Sequence, residues 1–379
     1  MRPIDYSPGA RLLLVPAMLD DHFPLLQYAL YSSAFHPVIL SNEAQITDLG
    51  LKYVNNDMCY PCILNVGQLL GALGSGDYPL SRTCLLMPTL GDACRGSNYI
   101  SALRKAVHAA GFSQVPVLSM NVKGLDRGHC VPIHLSMVWR ALFAMYYGDI
   151  LMLLCNQTRP YEAVPGAAEA LRQNFLRIAQ SFATLPRSGV PKQRIGIIGD
   201  VYTKYCHLGN WSVLSYLESC HCEAYVDGLS WYVQYYLDSH RPESGPSRVL
   251  YSGLSRLLLA LQRDMLDALR QFRFHAAPDF SVMKQEAAPY VPMGITVGDG
   301  WLLGAEAVSM IHHGCPKVLA IHPFGCLPGH VCGKGYYPGL GRRLPQGKIV
   351  TVDVDASGSR SSFYNRVQML VDLRLHTSL

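Results

Sequence analysis

The chain has 379 residues, of which 49% are hydrophobic and 16% are charged. This length suffices for two or three domains, and the high apolar and low charged contents exclude a disordered tail. The formal net charge is +5, but the basic residues are scattered and form no stripe with aromatic side chains, which argues against a nucleic-acid partner.

The first half of the chain alternates short runs rich in Leu, Val and Ile with stretches of helical pattern. Predicted strands lie at Arg11–Val15, Val38–Leu40, Cys84–Met87 and Val115–Ser119. Predicted helices lie at 23–33 and 95–110, and the period is helical again over 135–186. Repeated units of strand, loop and helix predict a parallel sheet.

A second series of such units begins at Ile195. Its predicted strands lie at Ile195–Gly199, Ala224–Val226, Met293–Val297, Val318–Ile321 and Ile349–Val354. Helical spacing is found at 212–219 and 257–269. Turn-forming proline and glycine residues cluster between Leu185 and Gln193, at the junction of the two series. We therefore predict two α/β domains, residues 1–187 and 188–379, each with a helical insertion.

The 12 cysteines are compatible with disulfides, metal ligands or buried thiols. Met1–Pro8 lacks the features of a secretory leader. The most apolar stretch, Met137–Cys155, is interrupted by Arg140, Gly148 and Asp149, so no membrane span is predicted. We expect a cytoplasmic protein, in which loop cysteines favour metal binding or redox chemistry.

Three cysteines lie in loops beside predicted strand or helix ends, where ligands bind in open α/β sheets. Cys94 and Cys326 each follow a predicted strand, and Cys59 lies directly before an apolar helical stretch. A helix N-terminus lowers the pKa of a thiol and favours the thiolate, which is the form that binds metal. Neighbouring glycine residues let backbone amides approach the sulfides of an iron–sulfur cluster.

Most other cysteines are expected to be small buried hydrophobic residues rather than ligands. This prediction covers Cys84, Cys130, Cys155, Cys206, Cys220, Cys222 and Cys315. The pair Cys59-x-x-Cys62 also permits a dithiol redox site, although this motif is short and generic. A zinc site is disfavoured because no second CxxC or suitably spaced histidine pair completes it.

Two glycine-rich stretches fall short of nucleotide-binding motifs. Residues 298–304 read GxGxxxG, one residue longer than the dinucleotide fingerprint. Residues 329–335 are one residue short of a P-loop and end in glycine where Ser or Thr should bind magnesium. The sequence also lacks the GxSxG elbow of Ser-His-Asp hydrolases.

Four runs of the sequence carry a resemblance to a known family, namely Lys52–Pro61, Cys94–Tyr99, Pro292–Leu302 and Pro323–Val331. Together they resemble the dehydratase-like module of the 2-hydroxyacyl-CoA dehydratase and activase superfamily. They are similar to the C-terminal part of fused proteins whose N-terminal part is an ATP-dependent activase. The similarity extends from about Arg11 to Leu373, with departures at Asp92, Ala93 and Gly329.

The resemblance implies an oxygen-sensitive [4Fe-4S] protein with two Rossmann-like (flavodoxin-like) parallel-sheet lobes, additional helices and the cluster between the lobes. The implied ligands are Cys59, Cys94 and Cys326, which leave one iron open. A separate ATP-dependent activase is implied as the electron donor. Related proteins hold an [8Fe-9S] double-cubane cluster with six cysteines, and Cys62 and Cys332 keep that alternative open.

Arg95, His322 and His330 adjoin the implied ligands, and we predict that they orient or protonate a small-molecule substrate at the open iron. Lys334 is a weaker candidate. An acyl-CoA is the substrate by analogy only. The low charged fraction suggests burial in a homodimer or heterodimer.

Three hypotheses follow from the sequence. The first is an iron–sulfur reductase or dehydratase component. The second is a non-catalytic electron-transfer or cluster-carrier subunit, and the third is a cluster-free α/β protein that binds a metabolite.

Overall fold

The computed structural model describes residues 9–89, 94–121, 130–161, 175–187 and 189–374, and it confirms an α/β fold with two parallel four-stranded sheets. The chain forms two compact units. The first comprises Met1–Ala144, Pro323–Leu327 and Asp355–Ser357, and the second comprises Met145–His322, Pro328–Val354 and Gly358–Leu379. Because later segments return to the first unit, neither unit is continuous in sequence. The domain boundary after residue 187 stays a prediction.

The first unit contains a sheet in the order β2-β1-β3-β4. Its strands are β1 Arg11–Val15, β2 Phe35–Ile39, β3 Thr83–Thr89 and β4 Val117–Asn121. The neighbouring strands are parallel, and Leu13 of β1 lies between Pro37 of β2 and Cys84 of β3. Leu13 and Leu14 point to opposite faces, and both are fully buried, as expected for a parallel sheet that is covered on each side.

Four helices of the described residues lie wholly in the first unit. They are α1 Phe23–Leu30, α2 Ile46–Tyr53, α3 Tyr60–Gly74 and α4 Tyr99–Ala109, and 3₁₀ turns occur at Leu80–Arg82 and Arg95–Asn98. Buried residues of α3 and α4, such as Val66 and Leu103, share one apolar core with Leu85 of β3. This core therefore fixes the positions at which α3 and α4 begin.

Helices α2 and α3 pack backbone against backbone through two glycine residues. A Cβ atom at Gly67 of α3 would lie 1.7 Å from the carbonyl oxygen of Ile46, and one at Gly50 of α2 would lie 2.1 Å from that of Ile63. Only glycine fits at such distances. The crossing sets the direction of α3, whose N-cap residue is Cys59.

The second unit repeats the strand order of the first, as β6-β5-β7-β8. Its strands are β5 Gln193–Gly199, β6 Cys222–Val226, β7 Lys317–Pro323 and β8 Lys348–Val354. Helix α5, Leu135–Thr158, begins in the first unit and ends in the second. The helices that follow it are α6 Phe175–Thr184, α7 Val201–Tyr205, α8 His207–Asn210, α9 Val213–Ser219, α10 Leu229–Ser239, α11 Pro246–Gln271, α12 Phe280–Ala287, α13 Leu302–His312, α14 Tyr337–Arg343 and α15 Arg360–Asp372, with a π-helical turn at Gly329–Lys334.

One segment of the described chain, Leu135–Tyr161, is long and apolar enough to cross a membrane by length and composition. Only 56% of its most apolar window is buried, but Asp149 within it is fully buried. The Asp149 carboxylate accepts hydrogen bonds from the backbone amides of Leu229 and Ser230 in α10. This packing agrees with the prediction that the stretch is not a membrane span.

The predicted strand at Met293–Val297 is wrong, because these residues form turns. The amide of Gly300 donates to the carbonyl of Val297, and that of Trp301 donates to the carbonyl of Ile295. These local hydrogen bonds fold the segment back on itself before α13 begins. Pro292 and Gly294 also oppose an extended ladder strand.

The glycine crossing of α2 and α3 predicts a position-specific effect on stability. Gly67→Ala should destabilise the protein by about 1–3 kcal/mol, because the new methyl group meets a backbone carbonyl that no side-chain rotation removes. Gly74→Ala, at the end of the same helix and facing open space, should stabilise by up to about 1 kcal/mol. Denaturant unfolding of both variants checks this, and equal effects would contradict the packing account.

Candidate functional site

In both sheets the third strand in sequence lies beside the first, and the strand order reverses between them. Ligands bind at the carboxyl ends of strands at such a reversal. Cys94 follows β3 and Cys326 follows β7, so the two cysteines occupy equivalent places in the two sheet topologies. Residues 90–93, which include the predicted departures at Asp92 and Ala93, lie outside the described residues.

The loops that carry the three predicted ligands meet at Gly325, within the first unit. A Cβ atom at Gly325 would lie 3.4 Å from Cα of Cys59 and 2.9 Å from Nη1 of Arg95, the residue after Cys94. Gly325 has φ +80°, a left-handed conformation that favours glycine. The structure therefore brings together Cys59, the neighbour of Cys94 and the neighbour of Cys326.

Cys59 is held at the beginning of α3. It is 5% exposed and is the N-cap residue, with extended backbone, and its carbonyl accepts a hydrogen bond from the Cys62 amide. Because the unpaired amides and the dipole of a helix N-terminus favour an anion, this position favours the Cys59 thiolate. The Cys59 sulfur also lies 2.5 Å from the hydroxyl oxygen of Tyr99.

Cys94 and Cys326 are half-buried in the loops that precede helical turns. The Cys94 carbonyl accepts hydrogen bonds from the Ser97 amide and hydroxyl. A Cβ atom at Gly96 would lie 3.2 Å from the Cys94 sulfur, so glycine leaves room beside this thiol. The Cys326 amide donates to the Pro323 carbonyl, which closes a tight turn around Gly325.

This donor set fits the predicted cluster in its chemistry. All twelve cysteines lie in the described part of the chain and are thiols. Thiolate ligands select soft metals and iron–sulfur clusters. Cys94 and Cys326 are partly exposed, and Gly96 leaves space beside the Cys94 sulfur. These two sulfur atoms are therefore not enclosed in the apolar core.

The remaining thiols differ in burial. Cys62 is fully buried in the core of the first unit, and burial, followed by the neighbouring Cys59, raises its pKa. Cys332 is 6% exposed, and burial with the nearby Asp299 raises its pKa. Five of the cysteines predicted to pack are buried and Cys220 is half-buried. The packing prediction is wrong for Cys130, which is exposed because it lies in a short bridge beside Ser119 rather than inside an element.

His322 lies in β7 and is fully buried. Burial lowers its pKa to about 3, so its imidazole is neutral at pH 7. Within the described residues neither ring nitrogen has a hydrogen-bond partner. The ring stacks on Tyr337 with 5.8 Å between centroids, and a Cβ atom at Gly333 would lie 2.8 Å from it.

The other predicted substrate-facing residues are more accessible. Arg95 is exposed and lies against Gly325. His330 and Lys334 lie on the π-helical turn, a rare form that is frequent at functional sites. Both approach Asp353 of β8: Lys334 forms an ion pair with it, and Nε2 of His330 lies 3.8 Å from its carboxylate.

A buried charged cluster in the second unit was not predicted from the sequence. Lys204 of α7 and Glu306 of α13 form an ion pair of 2.5 Å, and both are at most 2% exposed. Asp227, directly after β6, is 1% exposed, and neither of its carboxylate oxygens has a hydrogen-bond partner among the described residues. A Cβ atom at Gly228 would lie 2.4 Å from the carboxyl carbon of Asp149. The absence of a side chain at Gly228 therefore leaves room for Asp149, a further acidic residue of the cluster. One feature of the sequence could have indicated this cluster: an aspartate, Asp200 or Asp227, directly follows each of two predicted strands.

In comparisons with known proteins, no family model and no curated protein matches the chain.

The buried cluster predicts a specific pH dependence of stability. Burial, and then the like charge of Glu306, raises the pKa of Asp227 from 3.8 to about 8, although Lys204 opposes the shift. Between these two pKa values the folded protein keeps a proton that the unfolded chain loses. The contribution of Asp227 to the free energy of unfolding is therefore lost as pH rises from about 4 to about 8.

Asp227→Asn, which is uncharged and similar in shape, should remove this part of the pH dependence and be more stable than the wild type at pH 8 by on the order of a few kcal/mol. The exposed Asp264→Asn in α11 is the matched control and should follow the wild type. Unfolding free energies between pH 5 and 9 check this. A parallel profile for Asp227→Asn and the wild type would contradict it.

Proposed function

We propose that this chain is an iron–sulfur oxidoreductase or dehydratase component with a [4Fe-4S] cluster held by Cys59, Cys94 and Cys326. The observation that carries the proposal is the meeting of the three cysteine loops at Gly325. These cysteines are far apart in sequence, and packing in an apolar core does not account for Cys94 and Cys326, which are half-buried. A shared ligand explains why cysteine stands at all three positions.

The local electrostatics support thiolates at this site. The N-terminus of α3 favours a negative charge on Cys59. The Arg95 guanidinium, next to Cys94, places a positive charge beside the thiol loops. A positive charge stabilises the thiolate form relative to the thiol.

When bound, the cluster supplies a low-potential electron and one iron without a protein ligand. The chain itself binds and orients the substrate. The exposed guanidinium of Arg95 offers hydrogen-bond donors that suit an anionic group of the substrate. The side chain of His330 is accessible enough for its imidazole to donate a proton to a substrate. His322 is neutral at pH 7, so its proposed role is a hydrogen bond rather than a positive charge.

The proposed electron donor is an ATP-dependent activase on a separate polypeptide, and the proposed compartment is the cytoplasm. The substrate class is a small molecule, with an acyl-CoA by analogy to the dehydratases. A homodimer or heterodimer is the proposed assembly. Substrate turnover on addition of an activase and ATP distinguishes an enzyme from an electron carrier.

An [8Fe-9S] double cubane is the alternative cofactor, and it requires additional thiolates such as Cys62 and Cys332. The complete burial of Cys62 among apolar side chains argues against it as a ligand, because a thiolate there would be desolvated. This burial equally disfavours a dithiol redox pair of Cys59 and Cys62.

Anaerobic purification with iron and acid-labile sulfide analysis tests the proposal. The wild type should hold about four irons per chain and absorb near ~400 nm. Cys94→Ser and Cys326→Ser should each lose most of the iron and absorbance, because a thiolate ligand is removed while these half-buried side chains leave the core intact.

Two controls accompany these variants. Cys220→Ser is similarly half-buried and should keep the wild-type iron content. Cys62→Ala should also keep about four irons, whereas about eight in the wild type and a loss in Cys62→Ala would favour the double cubane. The proposal fails if the wild type binds no iron or if both ligand variants keep it.

A further inference from the structure

The Tyr99 side chain contacts a proposed ligand from the neighbouring helix. Tyr99 is the first residue of α4 and directly follows the 3₁₀ turn that begins after Cys94. Its hydroxyl oxygen lies 2.5 Å from the sulfur of Cys59, forty residues earlier in the chain. The contact therefore joins the Cys59 loop to the Cys94 loop.

We propose that the Tyr99 hydroxyl donates a hydrogen bond to the Cys59 thiolate and thereby raises the reduction potential of the cluster. This inference rests on the proposed function, since it requires Cys59 to be a ligand. Tyr99 is a positioning residue, because it acts on the ligand rather than on the substrate.

The direction of the effect follows from charge. A hydrogen bond to a ligand sulfur withdraws negative charge from it, which makes an added electron less costly and the potential less negative. A phenol donates to an anionic sulfur more strongly than to a neutral thiol. The bond is therefore strongest when Cys59 is a thiolate.

The fold holds the tyrosine in place for this role. One face of α4, formed by Ile100, Leu103, Ala106 and Val107, is buried in the core that also contains Cys59. The helix start and the ligand are thus fixed by the same packing. The hydroxyl reaches the sulfur without the ordering of a mobile loop, so little entropy opposes the bond.

A purely packing role for the Tyr99 ring is the competing explanation, because the ring also packs against this core. Tyr99→Phe separates the two, since it keeps the ring and removes the hydroxyl. Tyr78→Phe is the matched control, because Tyr78 is also half-buried against the same core.

The experiment is a redox titration of the reconstituted cluster by electron paramagnetic resonance, together with iron and sulfide analysis. Tyr99→Phe should bind as much iron as the wild type and shift the midpoint potential to a more negative value. Tyr78→Phe should leave the potential unchanged. Equal potentials in the wild type and Tyr99→Phe would overturn the inference.

Other outcomes are also decisive. If Tyr99→Phe binds no cluster, Tyr99→His is titrated, because histidine retains a donor. A cluster with a potential near that of the wild type then supports the hydrogen bond, and loss of iron in both variants overturns it in favour of packing. A wild type without iron contradicts the proposed function itself, which is a distinguishable result.

Discussion

The close approach of the backbone at Gly325 is the constraint on which the candidate site depends. The left-handed turn and the missing side chain allow this loop to lie against both Cys59 and Arg95. A Cβ atom there would be in ordinary contact with Cα of Cys59, and the end of the Arg95 side chain would have to move to admit it. The proposal of a shared ligand rests on this contact, because ligands of one cluster must converge from separate parts of the chain.

Two sheets with the same strand order carry different chemistry at their carboxyl ends. In the first unit the loops at this edge present thiols and an arginine. In the second unit the gap between β5 and β7 is closed, since a Cβ atom at Gly199 would lie 2.0 Å from the Ile321 carbonyl and the Thr203 hydroxyl donates to the same oxygen. The nearby acids and Lys204 are buried and paired or protonated. The ends of β5 and β7 are thus closed, and the candidate ligand on this side, Cys326, lies in the loop that follows β7.

The sequence predicted the α/β class and most strands because apolar runs with turn residues at their ends reflect burial in a parallel sheet. It failed at Met293–Val297, where an apolar run is folded into turns by local hydrogen bonds that composition does not report. The three cysteine loops were visible as motifs, but their meeting at Gly325 depends on tertiary packing. The Tyr99 contact and the ion pair of Lys204 with Glu306 join residues far apart in sequence, and no periodic pattern encodes such pairs.

The most direct test of the account is the iron content of Gly325→Val compared with that of Gly76→Val. Both glycine residues have nearly the same positive φ, of +80° and +81°, so the backbone strain of the substitution is matched. A Cβ atom at Gly325 already lies 3.4 Å from Cα of Cys59 and 2.9 Å from the end of the Arg95 side chain, and valine adds two methyl groups beyond it, whereas Gly76 faces open space. The account predicts that Gly325→Val remains folded but loses bound iron, while Gly76→Val keeps it. Equal iron content in the two variants would contradict the claim that this turn assembles the site.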